Sequence, residues 1–304
     1  MTATARAIIF GAIGSLFLAG LPLIAAVGPA GGSQQGPQVI NGSNAAAGAW
    51  PAMAAIGYRG ESAKRGTFCG GTLVAEGWVL TAAHCLSGLK AKGVVVRVGI
   101  TSLKNASDTE IRVAKIYTKK YKPRKDINDI ALLKLKQVSD KTPMGLATAA
   151  MYVANAPAAV IGWGATKPNG RKYPSKLQQG TVEITPDARC EKMWREANTK
   201  KQVCAGIGGA NSVDTCAGDS GGPLILADAA GVPQVAGIVS YGPQPCANPR
   251  RRAVYTKTSH YAGWIESTIG GPPGPAPTPT PTPTPTDSGA TTPSPVTSAP
   301  APAG

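Results

Sequence analysis

Through the middle of this chain, short β-branched runs alternate with turns that carry glycine and proline, the pattern of half-buried strands. Val94–Ile100, Ile130–Leu135, Ala158–Gly162, Thr181–Thr185, Leu224–Leu226 and Val235–Tyr241 each have strand length, and their spacing predicts antiparallel barrels. Only Tyr261–Ile269 reads as a helix, closing the patterned region. Outside that region the pattern changes twice. Arg6 followed by the apolar stretch Ala7–Val27, with small residues near Ala30, predicts a secretory signal peptide over residues 1–30. The stretch is also long enough to span a bilayer as an uncleaved anchor, although Gly11, Gly14, Gly20 and Pro22 weaken it as a helix. From Gly270 onward, repeated Pro-Thr steps cannot bury a core. Residues 271–304 are therefore expected to form a disordered tail, with an extended polyproline stalk, glycosylated or wall-associated, as the alternative.

Composition narrows the class. Of 304 residues, 31 are basic and 16 acidic, a net charge of +15. Arg6 and Asp287 are the only charged residues outside 39–270, so the patterned part carries the whole excess. Such a surface is expected to attract polyanions or an anionic cell wall through salt-sensitive, long-range forces, without specific nucleic-acid recognition. Lys115, Lys119, Lys120, Lys122, Arg124 and Lys125, with Tyr117 and Tyr121 among them, form its densest stretch, read first as a solvated loop. All six cysteines lie between Cys69 and Cys246, and in an exported chain an even count predicts disulfides, with the pairing left open. A zinc site is not expected, since there is no Cys-x-x-Cys pair and no histidine cluster.

The chemistry concentrates in two words. Gly218-Asp219-Ser220-Gly221-Gly222-Pro223 exposes a serine hydroxyl beside unobstructed backbone N–H groups, and Thr81-Ala82-Ala83-His84-Cys85 supplies one of only two histidines, the other being His260. A serine hydroxyl is a weak nucleophile until a neighbouring base takes its proton. A third, buried carboxylate should hold the imidazole in one tautomer and stabilise its protonated form. Asp129 fits that place, because it directly precedes the apolar run Ile130–Leu135, whereas Asp126 and Asp140 read as solvated.

The order His84, Asp129, Ser220 in these words resembles the trypsin-like serine proteases of the chymotrypsin family. The likeness runs from about Val39 to Gly270 and includes Cys69-Gly70-Gly71-Thr72-Leu73, Gly162-Trp163-Gly164 and Val239-Ser240-Tyr241-Gly242. It implies an all-β fold of two antiparallel Greek-key β-barrels with a C-terminal helix, His84 and Asp129 coming from the first barrel and Ser220 from the second. It also implies the disulfides Cys69–Cys85, Cys190–Cys204 and Cys216–Cys246, and an oxyanion hole made by the N–H groups of Gly218 and Ser220. Asp214 then stands at the base of a substrate pocket selecting Lys or Arg, with Ser240, Tyr241 and Gly242 binding the substrate backbone and forming a pocket wall. Val39 resembles the new N-terminus of an activated member, pairing with Asp219. On this basis residues 39–270 are the protease domain and 31–38 a short propeptide. The residue before the expected activating cut is Gln38, so an activating protease of non-tryptic specificity is expected.

Two departures qualify the likeness. Ala253 stands at a pocket position that is usually glycine and should crowd the region beside Asp214, favouring Lys relative to Arg. Ile100 replaces an acidic ligand of calcium-binding members, and Ser102–Glu110 offers few oxygen ligands, so no metal and no cofactor are expected. The function read here is a secreted, monomeric serine endopeptidase, with cell-surface or wall association through its tail. The alternative is a catalytically silent protease-fold protein that binds polyanions or a cell surface.

Overall fold

A computed structural model describes residues 39–275 apart from 105, 107, 108, 124–126, 171, 172 and 211. Gly274, inside the expected tail, donates its N–H to the Val74 carbonyl at 2.7 Å, whereas the signal-peptide and propeptide assignments, residues 276–304 of the tail, and Arg124 and Lys125 of the basic stretch lie outside the described residues. Among these, no helix is long and apolar enough to cross a membrane.

A two-residue strand β1 (Ser43–Asn44) precedes β2 (Met53–Tyr58), the one-turn helix α1 (Ala63–Gly66), β3 (Thr67–Ala75), β4 (Trp78–Thr81), β5 (Val94–Val98), β6 (Glu110–Thr118) and β7 (Ala131–Leu135). Strands β2 to β7 close into a barrel in the order β2-β3-β4-β7-β6-β5. Because β5 returns to pair with β2, the first four strands have Greek-key order. The chain continues through β8 (Gly145–Leu146), β9 (Pro157–Gly162), β10 (Gln178–Glu183), α2 (Asp187–Met193), β11 (Gln202–Ala205), β12 (Pro223–Ala227), β13 (Pro233–Tyr241), β14 (Ala253–Lys257) and α3 (Thr258–Ile269). These strands form a second sheet in the order β1-β10-β9-β12-β13-β14-β11, with β8 parallel to β13. An isolated bridge joins Ile184, just past β10, to Ala205 of β11, and Thr185 N–H donates there to the Cys204 carbonyl at 2.9 Å.

Each expected strand is present, but the edges shift. The strand expected over Thr181–Thr185 is β10, which starts at Gln178 and ends at Glu183, and the helix starts at Thr258 rather than Tyr261. In both places a polar residue joins the element because a tertiary partner holds it. Buried Gln178 donates to Asn44 Oδ1 at 2.9 Å, and Thr258 Oγ1 donates to the Val235 carbonyl at 2.7 Å. Gly270 ends α3 in the left-handed region at φ 86°, with its N–H on the Glu266 carbonyl.

One buried charge ties the first barrel to its flanking loops. Arg97 on β5 is 1% exposed and donates to Glu110 Oε2 at 2.8 Å, to the Ala106 carbonyl at 3.0 Å and to the Glu61 carbonyl at 3.3 Å. A buried guanidinium needs such partners, because desolvation otherwise disfavours its charged form. Burial lowers the Arg97 pKa and the Glu110 charge opposes that shift. Glu110, the acidic end of the stretch considered for calcium, is thus engaged by a side chain.

The two barrels are joined along a seam with no room for extra atoms. Gly70 N–H donates to the Ser220 carbonyl at 2.8 Å, and Thr81 Oγ1 donates to the Gly70 carbonyl at 2.8 Å. Gly221 lies against this pair at φ 78°, where a Cβ would strike Thr81 Oγ1 and come within 2.6 Å of the Gly70 carbonyl oxygen. Gly231 has nearly the same φ, 80°, but faces open space. Gly221→Ala is therefore expected to lose about 2–4 kcal/mol of stability, from backbone strain plus collision. Gly231→Ala should lose only about 1 kcal/mol, from strain alone. Urea unfolding of both variants checks this, and equal losses would show that the seam relaxes freely.

Candidate active site

The site is assembled from the seam outward. Asn128 takes a left-handed turn at φ 59° and is held there by Tyr261 OH, which donates to its Oδ1 at 2.9 Å. The turn sends Asp129 inward, fully buried at the start of β7. Four donors converge on this residue. His84 N–H donates to Oδ1 at 2.8 Å, and His84 Nδ1 lies 2.7 Å from Oδ2. Ser240 Oγ donates to Oδ2 at 2.6 Å, and Thr256 Oγ1 donates to the Asp129 carbonyl at 2.8 Å. With Nδ1 carrying the proton toward the carboxylate, Nε2 is left as a base. His84 itself is partly exposed, at 29% of its side chain.

Ser220 enters from the second sheet. Its loop is tied at both ends: Cys216 is bonded to Cys246, and Gly221 N–H donates to the Val239 carbonyl at 2.9 Å. Within it, Asp219 N–H donates to the Cys216 carbonyl and Gly222 N–H to the Asp219 carbonyl, a tight double turn. Gly218 sits at φ 94°, where a Cβ would meet Gly164 Cα at 3.1 Å and the Tyr173 ring at 3.2 Å. Cys69 is bonded to Cys85, which follows His84, so the strand that accepts the Ser220 loop is covalently attached to the histidine turn. The third disulfide, Cys190–Cys204, joins α2 to β11. All three pairs match those the family resemblance implied. Sulfur atoms of Cys69 and Cys85 lie near a His84 ring nitrogen, but as a disulfide they are not thiolate ligands.

Asp219 turns away from the solvent. Gly164 N–H donates to its Oδ1 at 2.8 Å and Cys216 N–H to its Oδ2 at 2.9 Å. Burial pushes its pKa up to about 6. The Gly162-Trp163-Gly164 word now has a physical reason, since a Cβ on either glycine would collide with this carboxylate. Val39 is 1% exposed among the apolar residues of the second sheet, and Ile40 pairs with Asp214 in an isolated antiparallel bridge.

Beside Ser220 opens a cavity of about 310 Å³, walled by Thr215, Cys216, Val239, Ser240, Tyr241 and Gly242 among others. Asp214 and Ala253 do not line it. Asp214 lies one residue behind Thr215, 2% exposed, with Thr215 N–H on Oδ1 at 2.9 Å and Ala247 N–H on Oδ2 at 3.0 Å. Burial raises its pKa to about 7. Ala253 is buried behind Gly242, its Cβ 3.5 Å from where a Gly242 Cβ would stand.

Sequence reasoning missed the side-chain work of Ser240, Thr256 and Tyr261. Ser240 is expected from the sequence as part of the strand that binds the substrate backbone and walls the pocket, and its hydroxyl also reaches Asp129. The Val-Ser-Tyr-Gly word pointed to it, whereas nothing local in the sequence marks Thr256. His260, the second histidine, is exposed on α3 away from this cluster.

Comparison with known proteins agrees with the geometry. The family model described as Trypsin matches residues 39–265. Kallikrein-8 of Rattus norvegicus is 34% identical over 246 residues, covering 78% of this chain and 88% of the relative. Melanization protease 1 of Drosophila melanogaster is 32% identical over 273 residues, covering 78% of this chain and 67% of that one. Among solved structures, neuropsin, a serine protease expressed in the limbic system of mouse brain, superposes with a TM-score of 0.66 at 33% identity, over 76% of this chain and all of its own. With two sheets meeting around buried Asp129, the partner of His84, and a family model spanning both, this chain belongs to the trypsin family of serine proteases.

Proposed function

We propose that the protein is an exported endopeptidase that cuts peptide bonds after Lys or Arg. The observation that carries this reading is the 2.7 Å contact of His84 with the fully buried Asp129, on the first barrel beside the seam that accepts the Ser220 loop. His84 removes the Ser220 proton as the hydroxyl attacks the peptide carbonyl, and Asp129 stabilises the imidazolium that results. The N–H groups of Gly218 and Ser220 hold the tetrahedral oxygen, each worth roughly 3–4 kcal/mol of transition-state stabilisation. Protonated His84 then releases the amine, leaving an acyl-enzyme, and water repeats the sequence to free the acid. Three disulfides suit the oxidising environment of an exported chain. Burial, and then the nearby Lys201, Lys119 and Lys257, lower the His260 pKa, and this group of lysines suits contact with an anionic surface. Ser220→Ala is expected to lower amidase activity at least on the order of 10⁴-fold while leaving substrate binding intact. A Ser220→Ala protein with near-normal turnover of a Lys amide would end this reading.

Specificity rests on Asp214. A cation entering the 310 Å³ cavity meets the Thr215 wall first and reaches the carboxylate behind it directly or through one water. The Ala253 methyl behind Gly242 shortens the space, which an ammonium tolerates better than a planar guanidinium. Cleavage after Lys should therefore be less disfavoured, relative to Arg, than in family members with glycine at this position. Asp214 is neutral below its pKa of about 7 and charged above it. Binding of a small amidinium ligand to Ser220→Ala should accordingly strengthen by about tenfold per pH unit as pH rises toward 7, then level off. Titration calorimetry from pH 5 to 9 reads this directly. A flat profile, or a peptide-library profile dominated by aromatic residues before the cut, would rule out Asp214 as the selecting charge.

Activation follows from the same loop. Cutting after Gln38 frees the Val39 ammonium to pair with buried Asp219, which orders the Ser220 loop. This is supported by the burial of Val39 and the pairing of Ile40 with Asp214, next to the wall of the cavity. A site selecting Lys or Arg does not favour the Gln38–Val39 bond, so a second protease of different specificity makes the cut. N-terminal sequencing of the Ser220→Ala precursor, expressed alone and beside wild type, is expected to show no trimming at Val39 caused by active enzyme. Full activity in a precursor that retains Gln38 would refute the switch.

A further inference from the structure

A second hollow, of about 470 Å³, borders the Ser220 loop and shares no lining residue with the first. The first cavity touches Ala217 and Ser220, and this one touches Gly218. Its apolar walls come from both barrels, Phe68 on one side and Trp163 and Tyr173 on the other, and Lys64 and Arg65 of α1 stand at its rim. Both basic residues are exposed, and neither forms an ion pair among the described residues. Their helix is firmly seated despite its single turn. Arg97 holds the Glu61 carbonyl just before it, a Cβ on Gly66 would collide with Glu61 Cβ at 2.6 Å, and Phe68 just after it packs on Tyr58 with ring centres 4.5 Å apart.

A peptide whose reacting carbonyl lies at Ser220 runs both ways from that point. If its acyl half fills the first cavity, the half that leaves must lie elsewhere along the same loop. We propose that the leaving half enters this second hollow and that Lys64 and Arg65 select an acidic side chain within the first three residues after the cut. An extended chain advances roughly 3.3 Å per residue, so the two or three residues beyond the cut run roughly 7–10 Å into a hollow that Gly218 lines together with Lys64 and Arg65. The apolar walls lower the local dielectric and let two unpaired cations act more strongly than on open surface. The proposal rests on the endopeptidase reading and names a selectivity on the other side of the bond. Val39-Ile40-Asn41, which follows Gln38, contains no acid, so the precursor's own activation bond lacks this feature as well.

The test uses internally quenched peptides with the same Lys before the cut and Glu, Gln or Lys at the second and third positions after it. Wild type is expected to show kcat/KM in the order Glu, Gln, Lys, with about a three- to tenfold step between Glu and Gln at low ionic strength. The step should shrink at about 0.5 M salt. Lys64→Glu combined with Arg65→Glu should invert the order, and single Arg65→Gln should flatten it; each ratio is internal to one enzyme, so a loss of folded protein does not disturb it. The same order in wild type and the charge-reversed variant, or no preference in wild type, overturns the proposal. Failure of wild type to hydrolyse a Lys ester with a small leaving group would instead overturn the endopeptidase reading beneath it.

Discussion

The desolvation of one carboxylate governs how the two halves of this protein meet. Asp129 has no solvent contact, and a buried carboxylate is tolerated only when donors replace the water it gave up. Its own barrel supplies the His84 backbone and ring. The other barrel supplies Ser240 from β13 and, on the Asp129 carbonyl, Thr256 from β14. Neither half can satisfy Asp129 alone. The relative position of the two sheets is thus tied to the hydrogen bonds of a single residue, and the histidine is oriented as part of the same network.

A similar logic holds around the serine loop, with backbone in place of side chains. Gly70, Gly164, Gly218 and Gly221 occur where a Cβ would crowd a neighbour, and together they let β3, the turn at Gly164, the Ser220 loop and the Asp219 carboxylate approach within contact distance. Two further buried aspartates, Asp214 before this loop and Asp219 within it, are held by backbone donors. Asp214 and Asp219 each accept two backbone N–H groups, and burial still raises the pKa of both. In the proposed function each is a carboxylate that a cation completes, a substrate side chain for Asp214 and the freed chain terminus for Asp219.

Much of this was legible in the sequence because it is local. The words around His84, Asp129 and Ser220 and the alternating runs of β5, β7, β9 and β13 require no partner to be recognised. Strands with less distinctive composition were harder to read. β2 is Met-Ala-Ala-Ile-Gly-Tyr, whose small residues carry little strand preference and are buried because β3 and β5 cover them. β6 carries Glu110, Arg112 and Lys115 on a mostly solvated strand, and its register comes from β5 and β7 rather than from its own pattern. The roles of Ser240 and Thr256 depend on Asp129, more than a hundred residues away, and the retreat of Asp214 behind Thr215 is set by the Ala247 loop. No window along the chain contains that information.

The Asp129 network also bears on how the molecule comes into being. Its hydrogen bonds join positions separated by 45, 111 and 127 residues, and the seam joins Gly70 to Ser220. Contacts of such long range form late, because the chain must lose most of its freedom before any of them is gained. The first barrel can close on its own strands while Asp129 still lacks the donors from the second. A half-folded chain therefore holds a histidine without its final orientation and a serine loop without its docking strand. Chemical competence is the last property to appear during folding and the first to disappear on partial unfolding, so a damaged copy falls silent before it loses its shape.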